Sequence, residues 1–125
     1  MTTIAVVEDN ADNRLLLQAI LEGLYDVVEY ENGVDALAGL AASLPDLVLL
    51  DISLPGMDGN EILSRIRANG TLKGLPVIAL TAHAMSGDRE KYLAAGFNDY
   101  ITKPIVDESI LLAAIERWLT AAHDG

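Results

Sequence analysis

Five short apolar runs punctuate the chain: residues 4–7, 27–28, 47–50, 77–80 and 100–102. Runs this short, bounded by turn residues, predict strands buried on both faces, as in a parallel sheet covered by helices. Val27 and Val28, flanked by Asp26 and Glu29, predict a weaker strand at an edge. The segments between the runs carry helical spacing. Leu16, Leu17, Ile20, Leu21 and Leu24 line up as one stripe, with Gly23 marking its end. A second helix is predicted from near Gly33 to Ala42. The third directs Ile62, Leu63 and Ile66 inward and Arg65 and Arg67 outward. The fourth starts near Ser86 and stops at Gly96, and the last aligns Leu111, Leu112, Ile115, Trp118 and Leu119. Strand and helix alternate five times, which predicts a doubly wound α/β fold with helices on both faces of a parallel sheet.

A length of 125 residues suits one domain spanning 1–125, with a substantial core and little room for a second. The hydrophobic fraction of 51% is that of a globular chain. The formal charge of −11 disfavours binding to a phosphate backbone, so no nucleic-acid partner is expected; by itself such a charge means only solubility. The chain has no cysteine, which fits a reducing compartment. With no signal peptide and no apolar stretch approaching a membrane span, a cytoplasmic location and no membrane partner are expected. The sequon at Asn69–Gly70–Thr71 is then a chance match.

The chemistry sits where the apolar runs stop. In open α/β sheets, sites form outside the carboxyl ends of the strands. The first run is followed by Glu8 and Asp9, the third by Asp51, the fourth by Thr81, and the fifth by Lys103 and Pro104. In a parallel sheet these ends share one edge, so three carboxylates, a hydroxyl and an ammonium converge. Clustered carboxylates suit Mg²⁺, a hard ion that takes oxygen ligands and keeps several waters. Asp9 and Asp51 are the expected ligands, helped by Glu8 and the backbone carbonyl of Ser53. Asp51 would be a nucleophile toward phosphorus, with Lys103 and Thr81 binding phosphoryl oxygens. Alone, an aspartate after a strand is more often a turn or cap residue, and a lone Thr or Lys means little. The joint pattern at four of the five run ends is what points to a site.

These segments resemble the receiver domain of bacterial two-component response regulators, the family of the chemotaxis response regulator. The resemblance rests on VVEDN with Glu8 and Asp9, PDLVLLDISLPGMDG with Asp51, PVIALTAHA with Thr81, and GFNDYITKPI with Tyr100, Lys103 and Pro104. It implies a flavodoxin-like, five-stranded parallel sheet of order 2-1-3-4-5 with five helices. It further implies Mg²⁺-dependent transfer of a phosphoryl group to Asp51, from a phosphohistidine of a sensor kinase or a phosphotransfer protein. The Lys103–Pro104 peptide would be cis, as is usual in the family. Thr81 and Tyr100 would form the switch that alters the face made by helix 4, strand 5 and helix 5. Ser53, Ala82 and His83 would tune the lifetime of the phosphorylated state. Because only TAAHDG follows the last predicted helix, no output domain is expected, and signalling would run through a downstream protein. The chain would then be a phosphoacceptor module and not an enzyme acting on other substrates.

Two other classes fit less well. A phosphatase of the haloacid dehalogenase type also forms an aspartyl phosphate, but wants a second acid where Ser53 stands. A small flavoprotein of similar topology wants a phosphate-binding loop after strand one, where EDNADN is electrostatically opposite.

Overall fold

The apolar runs do become strands. The computed structural model describes residues 2–82, 88–103 and 105–124. In chain order it contains β1 (Thr3–Val7), α1 (Ala11–Leu21), β2 (Asp26–Tyr30), α2 (Gly33–Ala42), β3 (Leu47–Asp51), α3 (Gly59–Ala68), β4 (Val77–Thr81), α4 (Asp88–Ala95), β5 (Asp99–Thr102) and α5 (Glu108–Asp124). All neighbouring strands are parallel, in the order β2-β1-β3-β4-β5. The edge strand β2 pairs Val27 with Ile4 and Tyr30 with Val7.

The period of two along each strand divides the core. Ala5, Val7, Val48, Leu50, Val77 and Ala79 face α2 and α3, where Leu40, Ile62, Leu63 and Ile66 meet them, together with Tyr92 of α4. Ile4, Val6, Leu47, Leu49, Ile78 and Leu80 face the other way, toward Leu17, Ile20 and Leu21 of α1 and Leu111 and Ile115 of α5. Every residue of β3 and β4 is buried. Each fully buried Leu, Ile or Val contributes about 1.5–3 kcal/mol of transfer free energy, which is why the central strands are almost wholly aliphatic.

Helix starts are set by side-chain caps. Asn10, Asn32 and Asp58 each accept a hydrogen bond from the backbone N–H three residues on. At the other end of α1 the chain turns at Gly23, whose φ of 81° is cheap only for glycine.

Two details depart from the stripes read in the sequence. Helix α1 ends at Leu21, so Leu24 lies beyond it and is 53% exposed, and Leu16 sits on the flank, half-exposed. Arg67 does not point outward. Its guanidinium donates to the carbonyls of Lys73, Leu75 and Gly96 and to Asn98 Oδ1, at 2.6–3.1 Å. This clamp joins the loop after α3 to the turn between α4 and β5. The sequon residue Asn69 is likewise structural, because its Oδ1 accepts from the N–H groups of Thr71 and Leu72.

Candidate phosphoryl-transfer site

The carboxyl edge of the sheet gathers the charged residues. Asp51 is the last residue of β3, and Glu8 and Asp9 follow β1 directly. Glu8 and Asp51 are buried and Asp9 is exposed; one carboxylate oxygen from each lies within 4.8 Å of the others. Lys103 reaches in from the end of β5. Its Nζ lies 3.1 Å from Asp51 Oδ2 and 3.3 Å from Glu8 Oε2. The ladder aims it there, since the Lys103 N–H donates to the Thr81 carbonyl at 2.7 Å, one step beyond the Thr81–Thr102 pair. The Asp51 carboxylate is engaged on both oxygens, because Oδ1 accepts from the N–H of Ser53 at 3.0 Å. Incoming ligands must therefore use remaining lone pairs or displace Lys103.

Burial pushes the Glu8 carboxyl above the ordinary glutamate range; the hydrogen bond from Asn13 opposes this, and the neighbouring Asp51 adds to it. Burial acting alone would lower the Lys103 ammonium, but the hydrogen bond and charge of Asp51, then those of Glu8, outweigh it and hold it above its ordinary value. Lysine therefore stays charged. The three carboxylates and one ammonium carry a formal charge of −2, which one divalent cation would neutralise. Mg²⁺ holds oxygens at about 2.1 Å, so neighbouring ligands lie about 3 Å apart and opposite ones about 4.2 Å apart. The three oxygens, within 4.8 Å of one another, must draw together to meet that spacing, and their all-oxygen chemistry fits the ion.

Neighbouring elements support these groups. Asn13 Nδ2 and the Asn10 N–H donate to Glu8 Oε1, at 3.2 and 3.3 Å. Arg14 Nη1 grips the backbone carbonyls of Glu8 and Asp9 at 2.9 and 3.0 Å, while its Nη2 pairs with Glu31. Gly59 starts α3 hard against the Asp51–Ile52 segment. Its N–H donates to Ile52 O, and a Cβ there would stand 2.8 Å from the Asp51 carbonyl oxygen. A cavity of about 30 Å³ between Glu8, Asn13, Leu17, Leu80, Lys103 and Ile105 adjoins the acids and has room for water.

Of the residues singled out in the sequence, Glu8, Asp9, Asp51 and Lys103 come together as a cluster. Thr81 ends β4 at the same edge, buried, with Ala82 exposed beside it. Ser53 lies next to Asp51 through its N–H. Tyr100 is partly buried and stacks obliquely on Tyr92, with ring centroids 5.5 Å apart. His83 and Pro104, and with Pro104 the cis peptide expected from the resemblance, lie outside the described residues. Sequence reading missed Asn13, Arg14 and Tyr92. Asn13 and Arg14 fall in the first turn of a helix beginning just after the acidic pair, which was the available signal. Tyr92 had none.

This fold and its acidic edge define a class of α/β signalling domain, and comparison with known proteins gives the class its name. The chain belongs to the response regulator receiver domain family, whose match extends over residues 4–116. It is 40% identical over 119 residues to the sensor protein GacS of Pseudomonas syringae pv. syringae, a match covering 92% of this chain but 13% of that protein's length. A 14.6 kDa protein encoded 3′ of sodA1 in Leptolyngbya boryana is 41% identical, over 94% of this chain and 90% of its own. Among solved structures, the receiver domain of the sensor histidine kinase PA1611 from Pseudomonas aeruginosa PAO1 superposes with a TM-score of 0.85 at 38% identity, covering 95% of this chain and 98% of that one; it holds a magnesium ion in its active-site cleft. The family is a signalling module of two-component systems. Among the described residues no helix is long and apolar enough to cross a membrane.

Proposed function

We propose that the protein accepts a phosphoryl group on Asp51 from a phosphohistidine of a sensor kinase or phosphotransfer protein, and signals through a protein contact that depends on that modification. The observation that carries this reading is the placement of Asp51: a buried carboxylate at the end of the central strand, 3.1 Å from Lys103 Nζ and clustered with Glu8 and Asp9. An Asp51 oxygen attacks phosphorus, the P–N bond to imidazole breaks, and the histidine leaves with that electron pair and takes up a proton. Lys103 shifts from the carboxylate to a phosphoryl oxygen, and the Thr81 hydroxyl binds another. Glu8, Asp9, Asp51 and the Ser53 carbonyl are the proposed Mg²⁺ ligands. Bound Mg²⁺ would screen the charge of the acids from that of the incoming phosphoryl group.

Thr81 and Tyr100 are the proposed switch, and α4, β5 and α5 the face that a downstream protein reads, in a two-state element biased by a local charge event. Ser53, Ala82 and His83 are assigned to tuning the lifetime of the phosphorylated state, as the resemblance implies. Catalysis on this reading is limited to the chain's own phosphorylation and dephosphorylation. The same reading places the protein in the cytoplasm. The test is intact mass after incubation with acetyl phosphate and Mg²⁺. Wild type should gain one phosphoryl group and Asp51→Asn none; a mutant modified at the wild-type rate refutes the assignment.

A further inference from the structure

Tyr92 lies in α4, outside the proposed reacting set, yet its hydroxyl donates to Thr81 Oγ1 at 3.2 Å in a buried setting. The side chain is 7% exposed. A phenylalanine would fill the same space, so the hydroxyl is there to be partnered, as buried tyrosine hydroxyls generally are. Its ring is also held on two sides. Phe97 meets it edge-on at 6.0 Å between centroids, and Tyr100 lies against it at 5.5 Å.

The backbone of Thr81 has little freedom to respond to a ligand. It pairs with Thr102, and its carbonyl accepts the Lys103 N–H. A change at the site can move Thr81 chiefly by turning its side chain, and the hydroxyl of that side chain is where α4 is attached.

We propose that Tyr92 is a positioning residue of the phosphoryl site, whose hydroxyl orients the Thr81 hydroxyl and ties helix α4 to it. By donating to Oγ1, Tyr92 engages an acceptor lone pair of the threonine hydroxyl, and a hydroxyl that accepts one hydrogen bond donates the next more strongly, here toward a phosphoryl oxygen once Asp51 is modified. When Thr81 turns toward Asp51, Tyr92 must follow or give up this hydrogen bond. Its ring, lodged between Phe97 and Tyr100, carries the displacement into α4 and to Tyr100. Tyr92 is thus the physical link between the site and the helix whose face a partner would read. The inference rests on the proposed phosphorylation of Asp51 and on Thr81 as the residue that senses it.

The test compares amide shifts of wild type and Tyr92→Phe in Mg²⁺, with and without beryllofluoride as a phosphoryl mimic. In wild type, Ser53 and Ala82 beside the site and Leu93, Ala94 and Ala95 on α4 should all shift. In Tyr92→Phe the site amides should still shift, while the α4 displacements fall to about half or less. Equal α4 displacements in the two proteins overturn the proposal. A wild type whose site amides ignore beryllofluoride overturns the phosphorylation reading instead, and this inference with it. Site amides that shift in wild type while α4 stays still overturn this inference alone. Should Tyr92→Phe fold poorly, the unaltered protein supplies a second measurement. The Tyr92 Cζ resonance should titrate with beryllofluoride along the same curve as the Thr81 amide, and a Cζ that stays fixed while Thr81 shifts refutes the coupling.

Discussion

Replacing Lys103 by methionine removes the only cation that the site itself supplies among the described residues, and its effect should reverse with metal. The ammonium bridges Asp51 and Glu8 at 3.1 and 3.3 Å, and both carboxylates are almost wholly buried. Breaking a buried pair by deleting one partner costs about 3–5 kcal/mol, because the charge left behind has lost its water and its counter-ion. Two features favour the lower end. Lys103 keeps 19% of its side chain exposed, and Glu8, already raised by burial, can relieve the strain by taking up a proton. A loss of about 3 kcal/mol corresponds to roughly 10 °C of melting temperature for a chain of this size. With the proposed ligand set, Mg²⁺ would bind only the folded arrangement, and at about 100 times its dissociation constant it would return about 2.7 kcal/mol. Without the lysine the site is more negative by one charge, so the mutant should bind Mg²⁺ more tightly than wild type. Thermal melts in EDTA and in excess Mg²⁺ check both parts. Lys103→Met should melt well below wild type in EDTA and gain more from Mg²⁺. A mutant that melts no lower in EDTA would show that the acids are held by hydrogen bonds, with the lysine incidental. A mutant that gains less from Mg²⁺ would place the ion elsewhere.

Three other outcomes are expected. Asp9→Asn should raise the melting temperature in EDTA, by up to about 1 kcal/mol of relieved repulsion, and flatten its response to Mg²⁺; a lower melting temperature in EDTA would mean that Asp9 is structurally bonded. Gly59→Ala should destabilise the fold by about 1–3 kcal/mol and slow acetyl phosphate labelling of Asp51, because the new Cβ would stand 2.6 Å from the Ile52 Cα; denaturant unfolding and a labelling time course measure the two effects, and wild-type values in both would show the contact to be yielding. In EDTA, Glu8 also sets a pH dependence: a carboxyl that binds its proton more tightly folded than unfolded favours folding while protonated, and that advantage disappears as pH rises from the ordinary glutamate range through the raised value. Glu8→Gln should therefore remove the part of the stability loss seen as pH rises above the ordinary glutamate range, and melts over that rise that run parallel to wild type would contradict the assignment.

Much of this protein was legible along the chain. Period-two and period-3.6 spacing are local consequences of backbone geometry, so β3, β4 and α2 could be placed to within a residue. The site was legible for a related reason. In a parallel sheet, whatever follows each buried run stands on the same edge, so Glu8, Asp9, Asp51, Thr81 and Lys103 had to be neighbours once the strands were parallel. Tertiary structure alone decided matters that depend on partners distant in sequence. Arg67 falls on the polar side of the α3 stripe, yet its long stem curls back so that the guanidinium meets carbonyls of Lys73, Leu75 and Gly96. Arg14 grips the carbonyls of Glu8 and Asp9 in the same way. Backbone carbonyls are present at every residue and leave no mark in a sequence, so nothing foretold the Arg67 clamp, and for Arg14 only its place in the first turn after the acidic pair hinted at one. The Tyr92 hydroxyl meets Thr81 only because α4 packs over the end of β4 at one particular depth. Periodicity says which side of a helix is buried; how far along the sheet that side comes to rest is set by side-chain volumes on both elements, and only the folded chain brings those together.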